Sequence, residues 1–285
     1  MKQGISFAGK LFGCFLPLFV AYGCQLVISF VGMFIYTGIV TAKGIANGLS
    51  EEEVFYFIET QLLNPDFLMM ITAIATATTL LIGALWYKKN RPSNDVSLKE
   101  VSNGTLFLSL ALMGISLQVL VSMCLNAIYP LLPQTLIEQY DALMETLLGG
   151  NVFLSLFVTV ILAPLAEELL FRGVTLRKAT KIMPFFLANI LQAVLFGIYH
   201  GNLIQGVYAF ALGLILGFVA EYFHSIWASI LLHAFVNGSA ELLSHLPAQL
   251  TETLLGIIVV SIVGVIFFII AVKLFPQAKE NIKKL

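Results

Sequence analysis

Eight long apolar segments, separated by short polar ones, constrain this chain more than any other feature. A helix needs about 20 mostly apolar residues to cross a bilayer. The sequence predicts spans near residues 11–40, 67–87, 104–130, 151–177, 184–200, 203–221, 226–244 and 251–274. Only 11% of the residues are charged, whereas roughly a quarter are charged in an average soluble domain. We therefore predict an all-α, polytopic membrane helix bundle that forms one transmembrane domain over residues 1–285.

The segment Gln134–Leu148 has a different pattern, because apolar residues alternate with acidic ones at helical spacing. Such a segment is typical of an amphipathic helix that lies at the membrane interface. The first apolar run is about twice as long as the roughly 7–15-residue core of a cleavable signal peptide. We expect it to be an uncleaved signal anchor.

Loop charges predict the orientation of the chain in the membrane. Lysine and arginine follow the second and fourth spans, and acidic residues lie between the first and second; the residues are Lys88, Lys89, Arg91, Lys99, Arg177, Lys178, Lys181, Glu51, Glu52 and Glu53. Cytoplasmic loops carry the excess of basic residues, so both termini are predicted to be cytoplasmic.

The basic inner loops and the absence of a disulfide framework favour a bacterial plasma membrane. A net charge of −1 gives no reason to expect nucleic-acid binding, and the lipid bilayer is the expected partner.

Charged and polar groups interrupt the spans of the second half of the chain. Such groups are costly at membrane depth and usually mark a pathway or a site. They are Glu167, Glu168 and Arg172 in the fourth span, His200 at the end of the fifth, and His233 and Asn237 in the seventh.

The two glutamates are predicted to do different things. Glu168 and Arg172 are four residues apart, so they can pair on one helix face. Glu167 is turned about 100° away around the helix axis. This spacing suggests that Glu168 and Arg172 form a structural pair, while Glu167 faces a cavity and is free for chemistry.

Two further pairs share helix faces, since Phe196 and His200, like His233 and Asn237, are four residues apart. At a rise of about 1.5 Å per residue, Glu167 lies roughly 16 Å from the cytoplasmic end of its span, and His233 and Asn237 lie roughly 12–18 Å from theirs. His200 comes out deeper, at about 24 Å. Convergence at one site therefore requires a fifth span that is tilted or begins outside the membrane.

Three motifs in this order resemble the signature of the CAAX-protease and bacteriocin-processing (CPBP, or Abi) family. They are Glu-Glu-x-x-x-Arg at 167–172, Phe-x-x-x-His at 196–200 and His-x-x-x-Asn at 233–237. The resemblance covers residues 151–245, which would form the catalytic core. It implies an eight-helix membrane endopeptidase that acts without a metal or other cofactor. The expected substrate is a membrane-associated or leader-bearing peptide, or a small membrane protein.

The resemblance also implies a role for each matching side chain. Glu167 would be the general base that activates water, and His200 would assist it. His233 and Asn237 would stabilise the oxyanion. The supporting residues would be Glu168, Arg172 and Phe196, the last of these packing against the cavity wall.

Other functions remain open at this point. Glu167, His200 and His233 have the chemistry of zinc ligands, so a zinc-dependent membrane metallopeptidase is one alternative. We favour the metal-free enzyme because the resemblance implies it, and because no further group nearby in sequence would hold a ligating histidine. A non-catalytic scaffold or bacteriocin-immunity regulator is the other alternative. Glu241, one turn beyond Asn237, is a candidate polar wall residue.

Overall fold

The computed structural model describes residues 6–101, 103–251 and 253–283, and it is helical apart from turns and short connections. The main helices are α1 (Phe7–Ala46), α2 (Glu51–Leu62), α3 (Pro65–Asn90), α4 (Gly104–Ile128), α5 (Gln134–Leu148), α6 (Val152–Ala179), α7 (Phe185–Tyr199), α8 (Leu203–Tyr222), α9 (Ile226–Ser244) and α10 (Leu254–Lys283). Shorter helical turns are found at Leu98–Val101, Tyr129–Leu131 and Ala248–Thr251.

Within the described residues, seven helices are long and apolar enough to cross a membrane: α1, α3, α4, α6, α8, α9 and α10. The expected eighth span is the exception. It is α7, which has only 15 residues and is therefore about 22 Å long. Gly201, with φ of 65°, ends this helix in a left-handed conformation that suits glycine, and the chain reverses into α8. The predicted amphipathic helix is present as α5.

Asparagines begin four of the helices. The side-chain oxygens of Asn64, Asn103, Asn151 and Asn202 accept hydrogen bonds from the main-chain N–H groups three residues later, at the starts of α3, α4, α6 and α8. Such N-caps satisfy donors that have no partner inside the helix. The short polar connections therefore determine where each apolar helix begins.

Basic side chains join the helix ends on one side of the bundle. Lys178 at the end of α6 donates to a main-chain carbonyl near the start of α1 at 3.2 Å. Arg177 pairs with Glu221 at the end of α8 at 3.0 Å, and the Lys279 ammonium of α10 lies 4.0 Å from the Tyr222 ring centroid. The beginning of α1 and the end of α10 are therefore on the same side of the bundle.

Small residues let α7 and α8 pack closely beneath the site. A Cβ atom on Gly213 would lie 3.2 Å from the Cα of Ala193, and one on Gly217 would lie 1.9 Å from the Asn189 side-chain oxygen. A larger residue at the second position would displace the side chains of Asn189 and Gln192, which belong to α7. The helix carrying Phe196 is thereby held against α8.

Candidate active site

The central helix α6 is not regular where it carries the two glutamates. The α-helical stretch that carries them, Ala163–Glu168, is flanked by π-helical turns at Phe157–Leu162 and Leu169–Leu176. Pro164 supplies a local cause, because proline has no N–H to continue the helical ladder. Wide π-turns of this kind occur often at functional sites.

Asn237 satisfies a main-chain carbonyl that the first π-turn leaves open. The N–H of Ala163 donates to Val158 instead of Thr159, and Pro164 has no N–H to offer. The side-chain amide of Asn237 donates to the Thr159 carbonyl at 2.8 Å. An unpaired carbonyl in a membrane interior is costly, so this bond ties α9 to α6 next to the glutamates.

Glu168 and Arg172 form the ion pair that their spacing predicts. The Arg172 Nη1 atom lies 2.7 Å from Glu168 Oε1, and the two side chains are 1% and 0% exposed. The guanidinium also donates to the carbonyl of Gly213 at 3.3 Å and lies 4.3 Å from the ring centroid of Phe196. Phe196 therefore does more than fill space, since its ring covers the buried arginine.

His233 connects the ion pair to the free glutamate. Its Nδ1 atom lies 2.9 Å from Glu168 Oε1, and a carboxylate oxygen in that position accepts, so Nδ1 carries a proton. Its Nε2 atom faces Glu167, 3.8 Å from Oε2. That separation is too long for a direct hydrogen bond and suits one mediated by water.

His200 is oriented in a comparable way by the main chain. Its Nδ1 atom lies 2.8 Å from the carbonyl oxygen of Phe196, to which it can only donate. Nε2 is then the nitrogen left for other partners. The ring meets that of Phe196 edge to face, with centroids 4.8 Å apart. The same phenylalanine packs edge to face on His233 at 5.8 Å.

One cavity of about 270 Å³ brings the four predicted catalytic residues together. Glu167, His200, His233 and Asn237 all line it, as does Phe196. Glu168 and Arg172 do not line it and lie fully buried behind the wall. His200, at the end of the short helix α7, lines this cavity. The four residues therefore meet at one site, although the depths calculated from the sequence placed His200 deeper than the other three.

Sequence reasoning missed a large part of the cavity wall. Six residues of α1, α3 and α4 and three residues of α5 contribute to it; they are Gln25, Thr72, Thr76, Gln118, Val121, Leu125, Tyr140, Met144 and Leu147. Isolated glutamine and threonine residues in apolar helices commonly serve only to join helices, so they gave no signal. Helix α5 is thus part of the site, with its half-buried face towards the cavity.

The described residues contain no group of three or more His, Cys, Asp and Glu side chains arranged to hold a metal ion. One reason for expecting a metal-free site was nevertheless wrong. Glu168 and the Phe196 carbonyl hold the Nδ1 atoms of His233 and His200, and such outer partners are what ligating histidines have.

Comparisons with known proteins match parts of the chain to proteins described as peptidases. Residues 149–239, about a third of the chain, match the family model described as Type II CAAX prenyl endopeptidase Rce1-like. The chain is also 30% identical over 112 residues to a Bacillus subtilis (strain 168) protein named "Putative membrane peptidase YdiL". That alignment covers 39% of this chain and 45% of the relative, so less than half of the relative is matched. No solved structure matches the chain.

Proposed function

We propose that the protein is a membrane endopeptidase of the CPBP family whose catalytic water is activated by Glu167; the match of residues 149–239 to the Rce1-like endopeptidase model supports this. The observation that carries the proposal is the difference between the two glutamates. Glu168 is occupied by Arg172 and His233, whereas Glu167 lines the cavity with no direct ion pair shorter than 3.8 Å.

In the proposed first step, Glu167 takes a proton from a water molecule while the water oxygen attacks the carbonyl carbon of the scissile peptide bond. Nε2 of His200 accepts a second hydrogen bond from that water and orients it. A general base needs to be within hydrogen-bond reach of the proton it removes. Glu167 and His200 line the same small cavity, which supports this assignment.

The developing oxyanion needs donors in the same cavity. One N–H of the Asn237 side-chain amide donates to the Thr159 carbonyl, and its second N–H is available to donate to the oxyanion. Nε2 of His233 can donate only when the ring carries both protons, because Nδ1–H is already directed at Glu168. Because Glu168 accepts this hydrogen bond and is itself held by Arg172, the pair fixes the orientation of the His233 ring.

The second step breaks the C–N bond. Glu167, now a carboxylic acid, returns its proton to the leaving amine, and the tetrahedral intermediate collapses to a new carboxyl terminus. Glu167 is then ready for another water molecule. No step needs an ion or an electron carrier, so we propose a metal-free reaction.

We further propose that the substrate is a peptide or small protein associated with the bilayer. The cavity lies in a bundle of apolar helices, and the lipid-facing surface carries large exposed apolar side chains such as Phe30, Phe34 and Phe153. The loop charges support an orientation with both termini in the cytoplasm, in a bacterial plasma membrane.

A zinc-dependent peptidase is the second candidate, on one specific observation. Both histidines hold Nδ1 in a hydrogen bond and leave Nε2 available, which is the usual arrangement of zinc-bound histidines. Glu167 would supply the carboxylate ligand.

The test compares purified wild-type protein with Glu167→Gln on a pool of quenched-fluorescent peptides. We expect the wild type to cleave members of the pool and Glu167→Gln to cleave none. Glu138→Gln is the matched control, because Glu138 lies on the exposed face of α5 and does not line the cavity. Equal cleavage by the wild type and Glu167→Gln would exclude the assigned base. A pool left intact by the wild type would favour a non-catalytic scaffold.

A further inference from the structure

A second carboxylate lines the cavity and is not used in the proposed reaction. Glu241 belongs to α9 and contributes to the same wall as His233 and Asn237. The three residues follow one another at intervals of four and so form one stripe along the helix. Glu241 is only 13% exposed.

No strong cationic partner accounts for this carboxylate. The nearest basic group is Nδ1 of His245, 3.9 Å from Glu241 Oε1, and that nitrogen lies closer to the main-chain carbonyl of Glu241, at 2.9 Å. None of the described residues that line the cavity is lysine or arginine. Arg172 is engaged by Glu168 behind the wall. Two carboxylates, Glu167 and Glu241, therefore face one cavity without a lysine or arginine between them.

The position of Glu241 in its helix is also electrostatically unfavourable for a negative charge. It lies in the last turn of α9, where the helix dipole favours cations and disfavours anions. A neutral glutamine would fill the same volume without this cost. The negative charge is thus unexplained by the fold and suits a positively charged ligand.

We propose that Glu241 binds a lysine or arginine side chain of the peptide substrate and so selects peptides with a basic residue close to the cleaved bond. The proposal rests on the peptidase function proposed above and specifies its substrate class. Such a contact inside a half-buried cavity is a charge-assisted hydrogen bond, which is stronger than a neutral one.

The helix geometry limits where the basic residue lies. Glu241 is eight residues beyond His233 on α9, a rise of about 12 Å. An extended peptide advances about 3.3 Å per residue. The basic residue is therefore within about four residues of the cleaved bond, and nearer when its long side chain lies along the cavity.

The test measures binding without requiring cleavage. Short acetylated and amidated leucine–alanine peptides, each with one lysine, are compared by fluorescence anisotropy with matched peptides that carry norleucine instead. The protein is the full chain with Glu167→Gln, with or without Glu241→Gln. A thermal unfolding curve of each variant checks that it is folded, and Glu138→Gln is the matched control.

We expect lysine peptides to bind at least about tenfold more tightly than norleucine peptides when Glu241 is present, which is the size of a charge-assisted contact. The difference should vanish with Glu241→Gln and persist with Glu138→Gln. Glu241→Lys should instead favour peptides with glutamate at the lysine position. Equal binding of lysine and norleucine peptides, or a lysine preference that survives Glu241→Gln, would overturn the proposal.

Cleavage by the wild type then separates the two proposals. If the pool is cleaved, basic residues should be enriched within about four residues of the cut, the reach set by the helix rise, and Glu241→Gln should remove that enrichment. Charge-dependent binding by a protein that cleaves nothing would exclude the peptidase and leave the cation site. Cleavage without enrichment of basic residues near the cut would exclude the cation site and leave the peptidase.

Discussion

Replacing each glutamate separately should damage the protein in different ways. Glu168 accepts from Arg172 Nη1 at 2.7 Å and from His233 Nδ1 at 2.9 Å, and it is fully buried. Glu168→Ala leaves a buried guanidinium without its counter-ion. Glu167 has His233 Nε2 as its nearest basic atom, at 3.8 Å. Glu167→Ala removes a cavity-lining carboxylate and leaves no charge unpaired.

The magnitudes follow from these contacts. Removing one partner of a buried ion pair costs about 3–5 kcal/mol. For a chain of this size each kcal/mol lowers the unfolding temperature by roughly 2–4 °C, so Glu168→Ala should lower it by roughly 6–20 °C. Glu167→Ala should cost less than about 1 kcal/mol, as for a site without such a pairing. Both variants should lose peptide cleavage: Glu168→Ala because His233 is no longer positioned, and Glu167→Ala because the general base is lost.

The assay follows thermal unfolding of the detergent-purified protein through the fluorescence of Trp86 and Trp227. A double variant serves as the control for the cause of the loss. Replacing the pair by apolar residues, Glu168→Leu with Arg172→Met, removes both charges and should recover part of the lost stability. Cleavage should stay absent in the double variant, because Nδ1 of His233 still lacks its acceptor.

Two results would refute this reasoning. Equal losses of stability for Glu167→Ala and Glu168→Ala would mean that the glutamates are not divided into a structural and a chemical one. A double variant less stable than Glu168→Ala alone would mean that the unpaired guanidinium is not the source of the loss.

Three further predictions concern the rest of the site and the topology. Asn237→Ala should reduce turnover by about 10²–10³-fold through loss of an oxyanion donor, and should also lower stability by about 1–3 kcal/mol because the Thr159 carbonyl loses its partner; steady-state kinetics and thermal unfolding measure the two effects. Chelators should leave cleavage unchanged, and elemental analysis that finds one zinc per chain, lost with His233→Ala, would contradict the metal-free reaction. Reporter fusions at Lys99 should report the cytoplasm and fusions at Glu52 the outside, so a cytoplasmic signal at Glu52 would reverse the orientation.

Local spacing predicted some contacts of the site and missed others for a physical reason. Glu168 and Arg172 lie on one helix, where a separation of four residues fixes their neighbourhood. The hydrogen bond between His233 and Glu168 spans 65 residues, and no helical period relates its two ends. It depends on the packing of α9 against α6, which is set by many side chains at once.

Hydropathy predicted the fold class and most spans but not the length of α7 or the neighbours of α5. A window of apolar residues does not distinguish a full crossing from the 15-residue helix that ends at Gly201. The amphipathic pattern of α5 predicted a helix at the membrane interface, yet the sequence does not specify which protein groups it faces. The wall residues Gln25 and Gln118 are single polar groups in apolar helices, so only the assembled bundle reveals their common cavity.

The wide turn at Phe157–Leu162 makes the length of α6 as important as its side chains. A turn closed by i→i+5 bonds contains one more residue than an α-helical turn, and one residue corresponds to a rotation of about 100°. Without this turn, a regular α-helix with the same number of residues would put Asn151 and Glu167 out of phase with each other by about 100°. The helix could keep its N-terminal cap or aim Glu167 into the cavity, but not both. Deleting one residue of the wide turn, such as the lipid-exposed Ile161, should therefore leave the two ends in phase, whereas an added residue should rotate Glu167 away from the cavity.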